Sequence, residues 1–477
     1  MRKASKSQWI KFGVVALIYI LFIVWVGNFW WLLGLPVIFD IYVSKIVPWG
    51  KWKQSKNKSV RKIAEWTDAI VFALVAVYFI NIYIFQNYKI PTSSLEKSLL
   101  VGDFLFVSKV SYGPRVPNTP LSFPLAQHTL PILDCKSYIE WPQWSYKRLK
   151  GFGEVQRNDI VVFNFPAGDT VALNYQQTDF YSLLHGVEEE LQHTVSGSAF
   201  IKSRPKDFGK VVYRPIDRRE NYVKRCIGMP GDSLQVIDNQ VYIDGEILKN
   251  PKKMQLNYFV EITGNIWDDK TFSLFDVSKD DKTFYDSRHV RLFQMLGIAP
   301  AGTNTMGQDY YNPVYRMPLT QEALAKLKKS GYAKSITIEP DYFGGTVYPV
   351  NYHTGWSRDN YGPIWIPKRD ATIELNEKNM ALYERCIVNY EHNKMKIENG
   401  IIYINDQPAN TYTFKYNYYF MMGDNRHNSA DSRSWGFVPE DHVVGKPVLV
   451  WLSLDKDRSL FNGGIRWKRL FRFVDRE

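Results

Sequence analysis

Cysteine is scarce in this 477-residue chain: Cys135, Cys226 and Cys386 are odd in number and form no C-x-x-C pair. They supply neither a disulfide framework nor a zinc knuckle. The eight histidines show no metal-ligand spacing, and no glycine loop is placed to cradle a phosphate. The chain is therefore expected to work without metal or cofactor. With 45% hydrophobic and 23% charged residues it is too apolar to be disordered and too polar for a polytopic transporter. Its length suggests two or three domains with a real core.

Acid is nearly missing from residues 1–66, which hold eleven Lys/Arg against two acids and so carry +9 of the net charge of +12. A basic segment that brackets apolar runs indicates membrane topology; a nucleic-acid partner would need its charge on the folded domain. No charge falls between Phe12 and Phe39. As one helix those residues would reach about 42 Å, beyond the roughly 30 Å hydrocarbon core. A break at Gly27–Asn28 would make a membrane hairpin, though Asp40 sits awkwardly near the end of its second arm. A cleaved signal peptide would be shorter and would carry a small-residue cleavage site. The loop KWKQSKNKSVRK (51–62) has six positive charges and no acid, and the uncharged run Ala69–Tyr88 then has the length of one span. The positive-inside rule places that loop, with Arg2, Lys3, Lys6 and Lys11, in the cytoplasm, and everything after Tyr88 outside. An even number of crossings must then separate the two basic regions, which favours the hairpin and three crossings in all.

Beyond residue 89 the pattern is short period-2 runs broken by Gly, Pro, Asn and Asp, such as DIVVFNF and VLVWLSL. A mainly β domain is expected. The clearest helix is QEALAKLKKSGYAK (321–334), with Gly331 as its C′ residue. An internal echo links YVKRCIGMPGDSLQVIDNQVYIDGEIL, from Tyr222, to YERCIVNYEHNKMKIENGIIYINDQPA about 160 residues later. It reads as a duplicated strand–hairpin unit or as convergent turn chemistry, the shared R-C-I favouring duplication. Glu384 would then stand where Lys224 stands in the first copy.

Four segments carry chemistry: IPTSSLEKSLLVGDFLFVSKVSYG (90–113), RNDIVVFNFP (157–166), NYVKRCIGMPGD (221–232) and MGDNRHNSADSRSWGFVPEDHVVGK (422–446). Together, in this order behind an N-terminal anchor, they resemble the type I signal peptidases. The resemblance covers roughly seventy residues; the stretches between match nothing familiar. It implies a signal-peptidase-like β-barrel catalytic domain, with Ser94 as nucleophile and Lys224 as general base. It further implies that Ser429 hydrogen-bonds the lysine and that the Thr92 hydroxyl and the Ser94 N–H face the oxyanion. Gly423, Asp424, Asp431 and Arg433 fall on the last block's positions, with Asp431–Arg433 bracing the site. Two departures stand out: Leu95 replaces the family's usual Met, and His427 its usual Asp. The implied substrates are membrane-tethered preproteins cut after small residues, an Ala-x-Ala pattern, at the outer face of a bacterial inner membrane. The bilayer is a partner, nucleic acid is not. Leu95, Phe104 and Phe106 are candidates for the small-residue pockets.

Elementary chemistry agrees. A serine needs a base, lysine is protonated at neutral pH, and burial can depress its pKa by about 3–5 units. Period 2 puts Tyr222 and Cys226 on the face of Lys224; a lone surface lysine snorkelling from an edge strand is the plainer alternative. Ser94 follows Tyr88 by only six residues, which suits a substrate tethered at the membrane. A rival is a penicillin-binding or β-lactamase-like site, since Ser94-Leu95-Glu96-Lys97 matches S-x-x-K and Lys329-Ser330-Gly331 matches K-[ST]-G. No S-D-N lies between them. A second is an anchored binding protein that lost catalysis, against which Ser94 and Lys224 both argue.

The expected division is a membrane hairpin and basic loop over 1–66, a transmembrane helix over 67–88, and a catalytic domain in two parts, 89–235 and 418–477. Between the parts lies a β-rich cap, 236–417, expected to stand outside the chemistry and to offer a surface for contact with secretion machinery. Residues 114–150, with Trp141, Trp144 and Tyr146, suit either the membrane interface or a proline-rich surface loop.

Overall fold

A capping box starts the chain's first helix: Ser5 and Gln8 exchange side-chain and backbone hydrogen bonds ahead of Lys6–Val26 (α1). The computed structural model describes residues 4–50, 53, 55–192, 194–262, 266–455, 458–459 and 462–474. Arg2, Lys3 and Lys51, counted among the cytoplasmic charges, lie outside the described residues. The chain divides into two compact units, Met1–Gln86 with Ser108–Glu154, and Asn87–Val107 with Val155–Glu477.

In the first unit α1 stops at Gly27, whose φ of 65° is left-handed and cheap only without a Cβ. This is the break expected from sequence. An apolar arm, Phe29–Ser44, then returns along α1: Tyr19 Oη donates to the Trp31 carbonyl at 2.7 Å, and Phe39 packs on Phe12 at 5.4 Å. Asp40 closes the arm by accepting from Ser44 Oγ, the Ile46 and Val47 amides and Trp49 Nε1, which resolves its awkward place in the run. At 16 residues the arm is about 24 Å long, short of a full span. Helix α2, Lys58–Tyr83, begins nine residues before the expected start and ends five before the expected end. Capping by Asn57, whose Oδ1 accepts from the Ser59 amide, draws the basic residues into the helix. Both α1 and α2 are long and apolar enough to cross a membrane. Their C-terminal ends lie together, Phe22 packing on Tyr83 at 5.3 Å.

The second unit is built on one sheet. Its strands are Phe85–Lys89 (β1), Asp103–Ser108 (β2), Ile160–Asn164 (β3), Asn221–Gly228 (β4), Tyr418–Met422 (β5), Val438–Pro439 (β6), Val443–Ser453 (β7) and Arg472–Phe473 (β8). The order is β1-β2-β7-β3-β4-β5-β6, with β8 on β7, and the sheet curves into a half-barrel. Strand β3 is buried throughout, as a central strand must be. Its register sets Val161 opposite Lys224 and Phe163 opposite Tyr222. Lys224 therefore sits mid-sheet, not on an edge.

The insertion contributes a sheet of Thr283–Tyr285, Val314–Thr320, Gln255–Ile262 and Ala333–Ile338, covered by the expected helix, Gln321–Ser330, ending at left-handed Gly331. A second sheet pairs Ser233–Ile237 with Tyr361–Trp365, and its Leu234 and Tyr361 share one core with Phe420 and Met422 of β5. Period-2 reading missed the helix Phe180–Glu190, which Asp179 caps and which buries Phe180 and Val187 on one face.

The internal echo is half real. Ser233–Ile237/Gln240–Ile243 and Met395–Glu398/Ile401–Ile404 are both tight hairpins, turning through positive-φ pairs Asp238–Asn239 and Asn399–Gly400. The R-C-I segments differ: Arg225–Ile227 is strand, whereas Arg385 ends the helix Glu377–Arg385 and Cys386 begins a further helical turn. Shared turn chemistry, not a duplicated strand, accounts for the likeness, and Glu384 is no counterpart of Lys224.

Candidate active site

Between β1 and β2 a single 3₁₀ turn, Ser93–Leu95, presents Ser94. The turn is bolted to the loop after β5. The Asn425 amide donates to the Ser94 carbonyl at 3.0 Å, Asn425 Nδ2 to the Ser93 carbonyl at 3.4 Å, and Asn428 Nδ2 to Ser93 Oγ at 3.0 Å. Leu95 anchors it from below, buried among Ile90, Leu105 and Val162. Leu95 thus belongs to the core beneath the turn.

Lys224 arrives from β4 with its Nζ 2.5 Å from Ser94 Oγ, and both residues are buried. Burial pulls the ammonium down to about 8, against the pull of Asp431 and Asp424, while Arg433 lowers it further. A lysine so placed is neutral in roughly one molecule in ten at pH 7. The Tyr222 ring lies 5.7 Å from Nζ, on the face that the strand period assigns it.

Two ion pairs flank Ser94 and Lys224. Arg433 grips Asp431 through Nε at 2.9 Å and Nη2 at 2.8 Å, and Asp431 Oδ2 accepts the Gly423 amide at 3.1 Å. Arg225, on the opposite face of β4 from Lys224, meets Asp424, which also accepts from Ser98 Oγ at 2.6 Å. Sequence reasoning passed over Arg225 and Ser98. The signal was there: a strand arginine that must be buried needs an acid, and Asp424 was at hand.

Other residues fall differently. Thr92 is exposed on extended backbone beside the turn. Among the described residues the buried Ser429 Oγ has no hydrogen-bond partner, so the bond to Lys224 implied by resemblance is not made. Gly423 lies under Ser429, where an added Cβ would come within 2.3 Å of its Oγ. Phe104 and Phe106 lie on the half-exposed face of β2, Phe104 against Trp451 at 5.7 Å. Lys97 is largely covered and pairs with Asp276 at 3.5 Å, away from Ser94 Oγ, which Lys224 meets instead.

The insertion braces the loop after β5. The Gln255 amide donates to the Asp424 carbonyl at 2.8 Å, and its carbonyl accepts from the Arg426 amide at 3.0 Å. His427 Nδ1 accepts from the Asn257 amide at 3.2 Å, and its Nε2 meets Asn239 Oδ1 at 2.9 Å and Asp359 Oδ1 at 3.2 Å. Asp359 thereby brings a carboxylate of the insertion against His427.

Comparison with known proteins agrees. The family model "Signal peptidase, peptidase S26" matches residues 63–295 and 366–452. A Signal peptidase I of Helicobacter pylori is 42% identical over 423 residues, covering 86% of this chain and 91% of its own. That of Buchnera aphidicola (subsp. Acyrthosiphon pisum) is 23% identical over 427 residues, covering 88% and 84%, and that of Haemophilus influenzae 22% over 421, covering 88% and 78%. The chain belongs to the signal peptidase family, peptidase S26, and is a serine peptidase. Within it the chain is of type I, whose activity is the removal of signal peptides.

Proposed function

We propose that Ser94 and Lys224 form the catalytic dyad, and the 2.5 Å approach of Lys224 Nζ to Ser94 Oγ is the observation that carries this reading. Neutral Lys224 takes the hydroxyl proton as Ser94 Oγ attacks the scissile carbonyl. The oxyanion is met by the Ser94 N–H and, after rotation, the Thr92 hydroxyl. The protonated lysine then gives its proton to the leaving amine; a water, deprotonated by the same amine, releases the acyl group from Ser94. The unpartnered Ser429 Oγ stands ready to hold the lysine once substrate fills the site.

The substrates are membrane-tethered preproteins with small side chains at the third and first positions before the cut. The catalytic unit faces the outside of a bacterial inner membrane. Supporting this, α1 and α2 end together, away from Lys6, Lys11, Lys58, Arg61 and Lys62 at their starts. The insertion's outer surface remains our candidate for contact with secretion machinery. Purified protein should cleave a model preprotein after its Ala-x-Ala, and Ser94→Ala should not. Cleavage that survives Ser94→Ala would overturn the assignment.

A further inference from the structure

The segment 108–154 packs on the C-terminal ends of both long helices. Lys147 Nζ donates to the Val26 carbonyl at 2.8 Å, Trp25 Nε1 to the Lys150 carbonyl at 3.1 Å, and Val116 and Leu149 share a cluster with Val26 and Tyr83. The Tyr78 hydroxyl donates to the Pro120 carbonyl. Tyr78 lies five residues before the end of α2, about 7.5 Å back along it. The chain at Pro120 therefore reaches back beside the apolar helix instead of rising away from it.

From that point the segment folds on itself. The Phe123 amide donates to the Ser137 carbonyl at 2.7 Å, Ile139 to Leu121 at 2.9 Å, and Leu130 to Cys135 at 2.8 Å. It carries large apolar side chains outward. Leu121, Phe123 and Leu125 alternate outward while Ser137 and Tyr138 are buried, and Ile132, Leu133 and Trp141 are also exposed, Ile132 completely. A hairpin in water does the reverse.

We propose that residues 120–141 form a paddle that lies in the headgroup–acyl boundary of the bilayer, its outward apolar face in contact with lipid. Asp134, Lys136 and Glu140 place it at the boundary, not in the hydrocarbon core. The inference rests on the membrane-anchor reading of α1 and α2. A bilayer, not a protein partner, is the occupant because the paddle continues the apolar surface of helices long enough to span one.

The chain carries its own probe. Cys135 is exposed at the paddle's turn, while Cys226 and Cys386 are buried. Full-length protein labelled at Cys135 with an environment-sensitive fluorophore is placed in phosphatidylethanolamine–phosphatidylglycerol vesicles containing lipid with a shallow doxyl group. We expect about a twofold or greater loss of emission, as for a label at the acyl boundary. A second protein, Cys135→Ser with Val75→Cys in α2, reports insertion of the helix. Quenching at position 75 without quenching at 135 overturns the paddle and leaves the anchor standing; no quenching at either overturns both. Leu125→Asp with Ile132→Asp should lessen quenching at Cys135 and leave cleavage of a soluble peptide in detergent unchanged. Undiminished quenching in that variant would also overturn the role given to these side chains.

Discussion

Arg225 and Asp424 close a two-pronged ion pair, Nε to Oδ1 and Nη2 to Oδ2, each 2.7 Å. Both are buried, and each is one residue from the site: Arg225 follows Lys224, and Asp424 follows Gly423. Removing one partner leaves a bare charge in the interior. Arg225→Met should cost about 3–5 kcal/mol, and the double variant Arg225→Met/Asp424→Leu distinctly less than the two single costs added. Thermal unfolding of the three proteins in one detergent checks this; simple additivity would show that the pair is not coupled.

The two lysines near Ser94 have different fates. Lys224 reaches Ser94 Oγ, whereas Lys97 is held by Asp276. Lys224→Ala should abolish preprotein cleavage, by at least the factor of about 10²–10⁴ expected for a lost base. Lys97→Ala should stay within a few-fold of wild type. Initial rates of the two variants decide it, and the reverse pattern would sink the dyad.

A depressed base leaves a mark on the pH profile. In the proposed mechanism Lys224 acts as the neutral amine, and burial brings it down to about 8. Hence kcat/KM should fall tenfold per pH unit well below 8, rise through an inflection near it and level off before 10. Were the inflection above 10, the amine would not be desolvated in the free enzyme.

Gly423 leaves no room for a side chain beneath the Ser94 turn. A Cβ there would sit 2.6 Å from Ser429 Cβ and 2.7 Å from the Ser94 carbonyl oxygen, which belongs to the backbone and cannot swing aside. Gly423→Ala should therefore displace the serine turn, lowering kcat on the order of 10²-fold while the protein stays folded. Near-normal kcat would mean that the turn tolerates the shift.

Gln255 ties the insertion to the loop after β5 through its backbone. Gln255→Pro removes the N–H that reaches the Asp424 carbonyl, at the first residue of its strand, where proline is sterically tolerated. Leaving that carbonyl unpaired should destabilise the loop by about 1–3 kcal/mol and reduce cleavage. Unchanged activity and melting would return the insertion to a bystander.

By itself the sequence determined the break at Gly27–Asn28, the mainly β character after residue 89, the Gly331 helix end and which segments bear the chemistry. These are local: a residue that favours left-handed φ, a period, or a motif declares itself within a few neighbours. The separation of Ser94 from Lys224, 130 residues along the chain, is closed only by the register of β4 between β3 and β5. Partners such as Arg225 with Asp424, and Gln255 and Asp359 with the catalytic loop, are set by burial across sheets, since an interior charge or carbonyl takes whichever partner the fold delivers. The helix at 377–385 was illegible for the same reason: its R-C-I matched a strand, and packing of Leu382 and Tyr383 into the shared core decided the conformation.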